Sequence, residues 1–278
     1  MNDRVPARAR ALAAELKVLR ERSGLTTRAA AKRLGTSIAS LNRSETGRRM
    51  ASVADVSALL AIYGVTGPER KRIMSLTEND EQSGWWGLGV RAHLLEALIH
   101  FESQAESFIH YSSILVPGFL QTADYARAVI GAGPFDAEEV ERRVAHRLER
   151  QKVLFKPVRP RYRLILDEAV LRRPIGGSAA MATQIRWLID MANQPNITIH
   201  VIPFRHGYYE LSSSFSILEF PTLPSLVYVE NGNASGFPDA PVDTDRYVET
   251  VGRLMRVALD SFDSVEFLAR MAADHERG

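Results

Sequence analysis

Asn42 and Arg43 are adjacent side chains of two types that pair directly with DNA bases. An arginine guanidinium can donate two hydrogen bonds to guanine, and an asparagine amide can form two hydrogen bonds with adenine. Each such pair contributes about 1–3 kcal/mol of discrimination between bases when its geometry is right. The alternative is that both side chains are solvated residues on a helix surface, and the sequence leaves the two interpretations open.

A sharp turn between two short helices must position these side chains. Gly35 stands where a chain leaving a helix often needs positive φ, and Ser37 offers a side-chain oxygen to cap the next helix. The pattern predicts one helix over residues 27–34 and a second over 38–46, which Gly47 ends. Helices this short bury too little surface alone, so flanking helices must complete a small core.

Apolar residues at helical spacing predict three further helices around this pair. Gly24 closes the helix before it, and Ser52 caps a helix after it that Gly64 ends. A last helix follows Pro68, a residue favoured at helix starts. Residues 1–78 are therefore predicted to form a five-helix domain.

Scattered residues of this domain match one type of DNA-binding protein. The matching residues are Gly24, Leu25, Thr26, 30–35, Ser37, Leu41, Arg43, Glu45, Gly47 and Arg48. They make the domain similar to the XRE-like helix-turn-helix domains of Cro and the phage repressors. The resemblance implies that the second short helix lies in the major groove of double-stranded DNA.

The resemblance also assigns roles to side chains by position. The base-facing residues would be Ile38, Ala39, Asn42 and Arg43, and the phosphate-facing residues would be Thr27, Arg28, Ser37, Arg48 and Arg49. Arg20 and Glu45 match a pair that forms a structural ion pair in relatives. Thr27 and Ile38 stand where many relatives have glutamine, and Ser44 where relatives usually have an apolar residue. The base preference is therefore less predictable than DNA binding itself.

The composition and charge limit the class of protein. A chain of 278 residues, 45% of them hydrophobic, is long enough for two domains with substantial cores. Residues 1–78 carry 15 Lys and Arg against 7 Asp and Glu, a net charge of +8. The chain totals of 35 and 33 leave 20 basic and 26 acidic residues in 79–278, a net charge of −6. We call residues 1–78 the head and residues 79–278 the body. The positive charge of the head and the negative charge of the body favour a nucleic-acid partner for the head only.

Several classes of protein are excluded by what the sequence lacks. It has no cysteine, which excludes disulfides and thiolate metal sites. It also has no apolar run typical of a signal peptide, and no stretch near the roughly 18 apolar residues of a membrane span. We therefore expect a cytoplasmic protein that does not enter a membrane.

The pattern of predicted helices and strands after residue 78 is typical of an α+β domain. Residues 79–84 are polar and acidic and end in glycine, which predicts a linker before a domain over 85–278. A helix is predicted over 92–107, and later helices alternate with strands. The four predicted strands are 162–166 and 197–202, which flank a helix and should be parallel, and 215–220 and 226–230, which should be antiparallel. The domain is thus expected to contain a small mixed sheet of about four strands.

Short motifs in this region match a second family in order along the chain. They are 116–122, 125–128, 142–144, 147–151, 167–169, 171–177, 201–204 and 227–230. The region resembles the WhiJ-like, antitoxin-like transcriptional regulators. The resemblance implies a regulator that is often encoded beside a small partner protein and whose second domain senses a ligand or binds that partner. It transfers no catalytic residues.

No catalytic constellation is visible in the sequence. The 7 histidines are scattered, with no pair at the i,i+4 spacing of a helical zinc motif, so we expect no metal. Nucleophile-elbow, Walker and dinucleotide-binding motifs are missing, so we expect neither an enzyme nor a cofactor. Asp167 and Glu168 follow a strand, where α/β folds often place functional groups, but a helix cap explains the pair more simply. A loop over 207–214 with two tyrosines either covers a pocket or is an ordinary connection between strands.

Arginines of the second region form a candidate site for an anion or an acidic partner surface. Arg143, Arg147 and Arg150 share one face of a predicted helix, and Arg172 and Arg173 follow the first predicted strand. The alternative is that these side chains are solvated or paired with nearby glutamates, as charged helical faces usually are.

The main hypothesis from the sequence is a sequence-specific DNA-binding transcriptional regulator that acts as a homodimer. Its second domain would sense a small-molecule ligand or a protein partner. The alternative is an antitoxin-like interaction protein that binds a small partner protein and autoregulates its own operon. An enzyme is a weaker third hypothesis, because no catalytic residues stand out.

Overall fold

The chain folds into two compact units, which we describe separately. The computed structural model describes residues 5–77, 85–88, 92–209, 213–231, 234–238 and 241–277. The first unit comprises residues 1–100 with 236–240, and the second comprises 101–235 with 241–278. The predicted linker at 79–84 lies outside the described residues.

Five helices form most of the first unit, as the periodicity predicts. They are α1 (Ala7–Arg22), α2 (Thr27–Leu34), α3 (Ile38–Glu45), α4 (Val53–Ile62) and α5 (Gly67–Ser75). Their apolar faces meet in a core where Leu12, Leu16, Ala30, Leu41 and Leu60 are at most 2% exposed. Because α2 and α3 have only eight residues each, this shared core is what stabilises them.

The turn between α2 and α3 has the predicted geometry. Gly35 has a φ of 74° and ends α2 in the left-handed region. Thr26 caps α2 and Ser37 caps α3, each accepting a hydrogen bond from a backbone N–H of the first helical turn, at 3.2 and 3.1 Å. Helix α3 ends at Glu45, one residue before the predicted end, and the Thr46 hydroxyl donates to a backbone carbonyl of α3 at 2.8 Å.

Helices and strands alternate over the rest of the described chain. The strands are β1 (Trp85–Leu88), β2 (Ser107–Ser112), β3 (Arg161–Asp167), β4 (Ile197–Ile202), β5 (Phe215–Glu219), β6 (Leu226–Asn231) and β7 (Ala234–Phe237). The helices are α6 (Ala92–Gln104), α7 (Ala123–Gly131), α8 (Ala137–Gln151), α9 (Glu168–Arg172), α10 (Ser178–Ala192), α11 (Pro241–Val257) and α12 (Ser261–Arg277). The α+β class is thereby confirmed.

A mixed sheet of six strands is the centre of the second unit, in the order β7-β6-β5-β2-β3-β4. Strand β3 is parallel to both β2 and β4, whereas β5 is antiparallel to both β2 and β6. The predicted parallel and antiparallel pairs are confirmed, but the prediction of about four strands is wrong. Strands β2 and β7 were not predicted. The helix predicted over 92–107 ends at Gln104, and β2 begins at Ser107, in a stretch to which the sequence analysis assigned no strand. A short strand covered on both sides lacks a clear alternation of apolar and polar residues, so its sequence gives only a weak signal for a strand.

One face of the sheet packs on α11 through an apolar cluster. Tyr111, Ile165, Ile217 and Val227 from four neighbouring strands are fully buried against Leu254 of α11 and residues around it. The other face carries an aromatic cluster. Phe108 of β2 and Tyr162 of β3 lie 5.5 and 5.8 Å, between ring centroids, from Phe119 in the loop before α7. Both faces are therefore covered, as a sheet with parallel strands requires.

Candidate nucleic-acid interface

One face of α3 is exposed along the helix. The residues predicted to face bases all lie on it, namely Ile38, Ala39, Asn42 and Arg43. The opposite face is buried and consists of Ser40, Leu41, Ser44 and Glu45. Spacings of three and four residues place each set on one side of a helix. The structure thus brings the predicted base-facing residues together on a single accessible surface.

A buried ion pair holds the C-terminal end of α3. The Arg20 Nε lies 2.9 Å from both carboxylate oxygens of Glu45, and Arg20 Nη1 donates to the Leu25 carbonyl at 2.8 Å. The Tyr63 hydroxyl donates to the same carboxylate at 3.2 Å. Burial, and then the charge of Glu45, raise the pKa of Tyr63, so its hydroxyl stays protonated. The predicted Arg20–Glu45 pair is confirmed, and Tyr63 is a further member that the sequence pattern did not indicate.

The residues predicted to face phosphates differ in how accessible they are. Arg28 in α2 and Arg48 after α3 are exposed, whereas Thr27 is half-buried. Ser37 is exposed, and its hydroxyl oxygen is already used to cap α3. An exposed guanidinium reaches phosphate oxygens easily, so Arg28 and Arg48 are the better placed members of this set.

Arg49 lies against the surface of the first unit. It donates to the Ser40 hydroxyl of α3 at 2.5 Å and to the Asp55 carboxylate of α4 at 3.3 Å. These two contacts connect α3 with α4, while 43% of the arginine side chain stays exposed. Arg49 therefore has a structural contact in addition to the predicted contact with phosphate.

Three of the five arginines in the candidate anion or partner site are paired with carboxylates. The pairs are Arg143 with Glu139 at 2.5 Å, Arg150 with Glu102 at 2.6 Å, and Arg172 with Glu168 at 2.6 Å. The carboxylates of Glu102 and Glu168 are only 6% and 5% exposed. Because an unpaired buried carboxylate is costly, Arg150 and Arg172 stabilise the fold of the second unit.

The two remaining arginines have no carboxylate partner among the described residues. Arg173 is exposed. Arg147 donates to Gln121 Oε1 at 2.7 Å, and the amide of Gln121 in turn donates to the Val116 carbonyl at 2.6 Å. Burial, and then the positive charge of Arg150, lower the pKa of Arg147. Arg147 thus helps to hold the loop that contains Gln121, a motif that carried the second family resemblance.

Two family models match the chain. One, described as a helix-turn-helix domain, matches residues 11–73, from α1 into α5. The other, described as a domain of unknown function (DUF5753), matches residues 95–270, which is more than half of the chain. The chain belongs to the DUF5753 family. No curated protein matches it.

The helix-turn-helix match of this DUF5753 protein covers all the residues predicted to contact DNA. It supports a DNA-binding regulator with a helix-turn-helix domain at its N-terminus, in agreement with the sequence analysis. The DUF5753 match itself assigns no activity to the second unit. In the described part of the chain, the helices are too short or too polar to cross a membrane.

Two titratable side chains of the DUF5753 region have surroundings that the structure defines. Asp167 caps α9 by accepting a hydrogen bond from the Ala169 N–H at 2.7 Å. The sequence analysis expected a helix cap from the pair Asp167 and Glu168, and the structure assigns it to Asp167. Burial, assisted by the charge of Arg150, lowers the pKa of His110 to about 3, so this imidazole is neutral. Within the described ranges, no three histidine, aspartate or glutamate side chains converge as a metal site requires.

Proposed function

We propose that the protein is a transcriptional regulator that recognises a specific operator through α3. The observation that carries the proposal is the exposed row of Ile38, Ala39, Asn42 and Arg43 on a helix whose position is set by buried contacts. Arginine and asparagine are the side chains that distinguish guanine and adenine in the major groove. A base-reading helix must also be held rigidly, and the Arg20–Glu45 pair supplies that constraint.

The charge distribution supports the same function. The predicted head at 1–78 carries +8 and residues 79–278 carry −6, so attraction to phosphate is confined to one part of the chain. An acidic body also repels DNA and discourages contacts away from the head. The head therefore supplies both the long-range attraction and the base contacts.

We further propose that the regulator binds DNA as a homodimer. One recognition helix of eight residues makes few base contacts. Specific sites generally require more contact area than a single small helix provides. Two heads related by two-fold symmetry would contact half-sites about one helical turn of DNA apart. Ligand or partner binding to the second unit would then act by changing the distance between the heads.

The test is selection of genomic DNA fragments by the purified full-length protein at two salt concentrations. A short palindromic sequence that survives the higher salt is the expected result, because base contacts persist when phosphate contacts weaken. Sequence-independent binding that disappears at higher salt would contradict specific recognition. The Lys71→Ala variant, which alters an exposed charge on α5 away from α3, is a matched control and should select the same sequence.

A further inference from the structure

An open cleft of about 410 Å³ lies at the ends of three strands of the sheet in the second unit. Ser113 directly follows β2, Asp167 ends β3 and Pro203 follows β4, and all three line the cleft. Strands β2, β3 and β4 are parallel, so their carboxyl ends lie side by side at the cleft. Ligands of sheets with parallel strands bind outside these carboxyl ends. The position of the cleft is therefore typical of a ligand site.

A buried carboxylate faces this cleft. Asp167 is the one charged side chain among the lining residues that the structure describes, and the residue is 7% exposed. Its Oδ1 accepts from the Ala169 N–H, and its Oδ2 accepts from the Tyr209 hydroxyl, which lies 3.1 Å from the Tyr111 hydroxyl. No ion pair between Asp167 and a described residue offsets the charge. A buried carboxylate with neutral donors alone favours the approach of a cation.

The neighbouring glutamate has a different role. Glu168 pairs with Arg172 and also accepts a hydrogen bond from the Phe204 N–H at 2.7 Å. Its charge is thus balanced within the protein, whereas that of Asp167 is not balanced by any described side chain. Of the two adjacent carboxylates, Glu168 is therefore a structural group, and Asp167 is the group available to a ligand.

Two exposed aromatic rings border the same cleft. Tyr208 is 86% exposed and Phe204 is 55% exposed. Both lie in the segment that leaves β4 and line the cleft beside Asp167. An aromatic face attracts a cation through its quadrupole, and its apolar surface packs against the carbon body of a ligand. The rings and the carboxylate therefore favour the same class of molecule.

A larger cleft of about 520 Å³ between α10 and α12 differs in its charges. Its Arg186 pairs with Glu276 at 2.5 Å, and its Arg277 pairs with Asp274. The charged groups of that surface are mutually balanced, so it presents no charge that a ligand would neutralise.

We propose that the cleft at the carboxyl ends of β2, β3 and β4 binds a small primary amine carried on an aromatic or apolar body. The ammonium group donates to Asp167, and the body packs on Phe204 and Tyr208. A carboxylate or phosphate ligand would instead meet Asp167 with the same sign of charge. This inference rests on the proposed sensing role of the second unit and specifies its ligand class.

The test is isothermal titration of the full-length protein with three probes of similar shape: phenethylamine, phenethyl alcohol and 3-phenylpropionate. We expect binding of the amine, about tenfold or more weaker binding of the alcohol, and none of the anion, because a charged hydrogen bond separates the amine from the alcohol. Binding of the anion in preference to the amine, or binding of none of the probes at millimolar concentration, would overturn the proposal.

Two variants examine the residues that carry the site. Asp167→Asn retains a side chain that caps helices well, so α9 should remain intact while the charge is lost. We expect the affinity for phenethylamine to fall about tenfold or more, to that of the alcohol. Tyr208→Ala removes a ring that is almost fully exposed, and should weaken the amine about two- to fivefold without changing the melting temperature. Amine binding that is unaltered in Asp167→Asn would refute the site.

Asp260→Asn is the matched control, because Asp260 also caps a helix, α12, and is exposed away from the lining residues. It should bind the amine as the native protein does. Operator binding is measured separately on the same preparations. Specific operator binding without amine binding would support the proposed regulator and refute the proposed amine site. Amine binding that leaves operator affinity unchanged would support the site and refute the sensing role.

Discussion

Glu45 connects α3 with two other helices of the first unit. It lies at the buried end of α3 and receives hydrogen bonds from Arg20 and Tyr63, which belong to α1 and to the end of α4. Side chains of a binding site must be held by supporting groups that are themselves packed and hydrogen-bonded, and a buried polar group costs free energy unless it is fully paired. The side chains that position α3 are therefore distinct from the exposed side chains proposed to contact DNA.

Replacement of Glu45 by alanine should lower the stability of the first unit strongly. The substitution leaves the Arg20 guanidinium buried without its carboxylate, which costs about 3–5 kcal/mol. Glu21→Ala is the matched control, since Glu21 is an exposed partner of the same arginine at 3.5 Å and should contribute at most about 1 kcal/mol. Thermal melting of the full-length variants measures both effects, and equal melting temperatures would remove the proposed role of Glu45.

Replacement of Arg43 and of Arg49 should have different effects on DNA binding. Arg43→Ala should relax the preference at one base pair by about 1–3 kcal/mol, because it removes the proposed base contact. Arg49→Ala should weaken binding to all sequences alike and reduce its salt dependence, because it removes the proposed phosphate contact. Binding titrations against single-base operator variants at several salt concentrations distinguish the two. The same change in both properties for both variants would contradict the assignment.

The turn at Gly35 is the element that sets the angle between α2 and α3. Its φ of 74° lies in the region that residues with a side chain rarely adopt, and an added Cβ would meet no atom within 4 Å. The requirement for glycine is therefore one of backbone conformation, with no contribution from crowding. The caps supplied by Thr26 and Ser37 on either side restrict the turn further.

Gly35→Ala should destabilise the protein by about 1–2 kcal/mol, the cost of a left-handed conformation for an L-residue. Gly131→Ala is a suitable control, because its Cβ would also meet open space and its φ is not in the left-handed region. Chemical denaturation of the two variants gives the comparison. A loss of stability that is the same in both would show that the backbone of Gly35 is not the constraint.

The whole molecule joins a basic head to an acidic body that belongs to a family without an assigned activity. The first unit contains the side chains proposed to contact DNA, whereas the cleft proposed as a ligand site lies wholly in the second unit. In the proposed regulation, a ligand bound to the second unit affects DNA binding by changing the distance between the heads of two protomers. That mechanism makes dimerisation through the second unit the central prediction at this scale.

A chain that ends after residue 77 should lose the preference for a palindrome over a single half-site. The reason is that the second head is then no longer tethered, so the two half-sites bind independently. Anisotropy titrations with a full operator and with a half-site DNA, compared with the full-length protein, measure the preference. A truncated chain that still prefers the full operator would place the dimer contact within the head.

Helix caps and tight turns were predictable because they depend on residues that are close together in the sequence. The caps at Thr26 and Ser37, the turn at Gly35 and the cap at Asp167 each depend on residues within a few positions of one another. Strand β2 was missed for the opposite reason. It lies between β3 and β5 in the sheet, and its pairing partners are more than 50 residues away in the chain, as in the pairing of Ser107 with Arg161.

The sequence by itself determined the five helices and the division of charge, because periodicity, caps and composition act locally or as simple sums. The choice of the residues on the exposed face of α3 came from the family resemblance. Only the tertiary structure decided that Tyr63 reaches Glu45, that Arg150 and Arg172 balance buried carboxylates, and that Ser113, Asp167 and Tyr208 share a cleft. These groups come from separate segments. Their meeting depends on the register and order of the strands, which long-range packing selects.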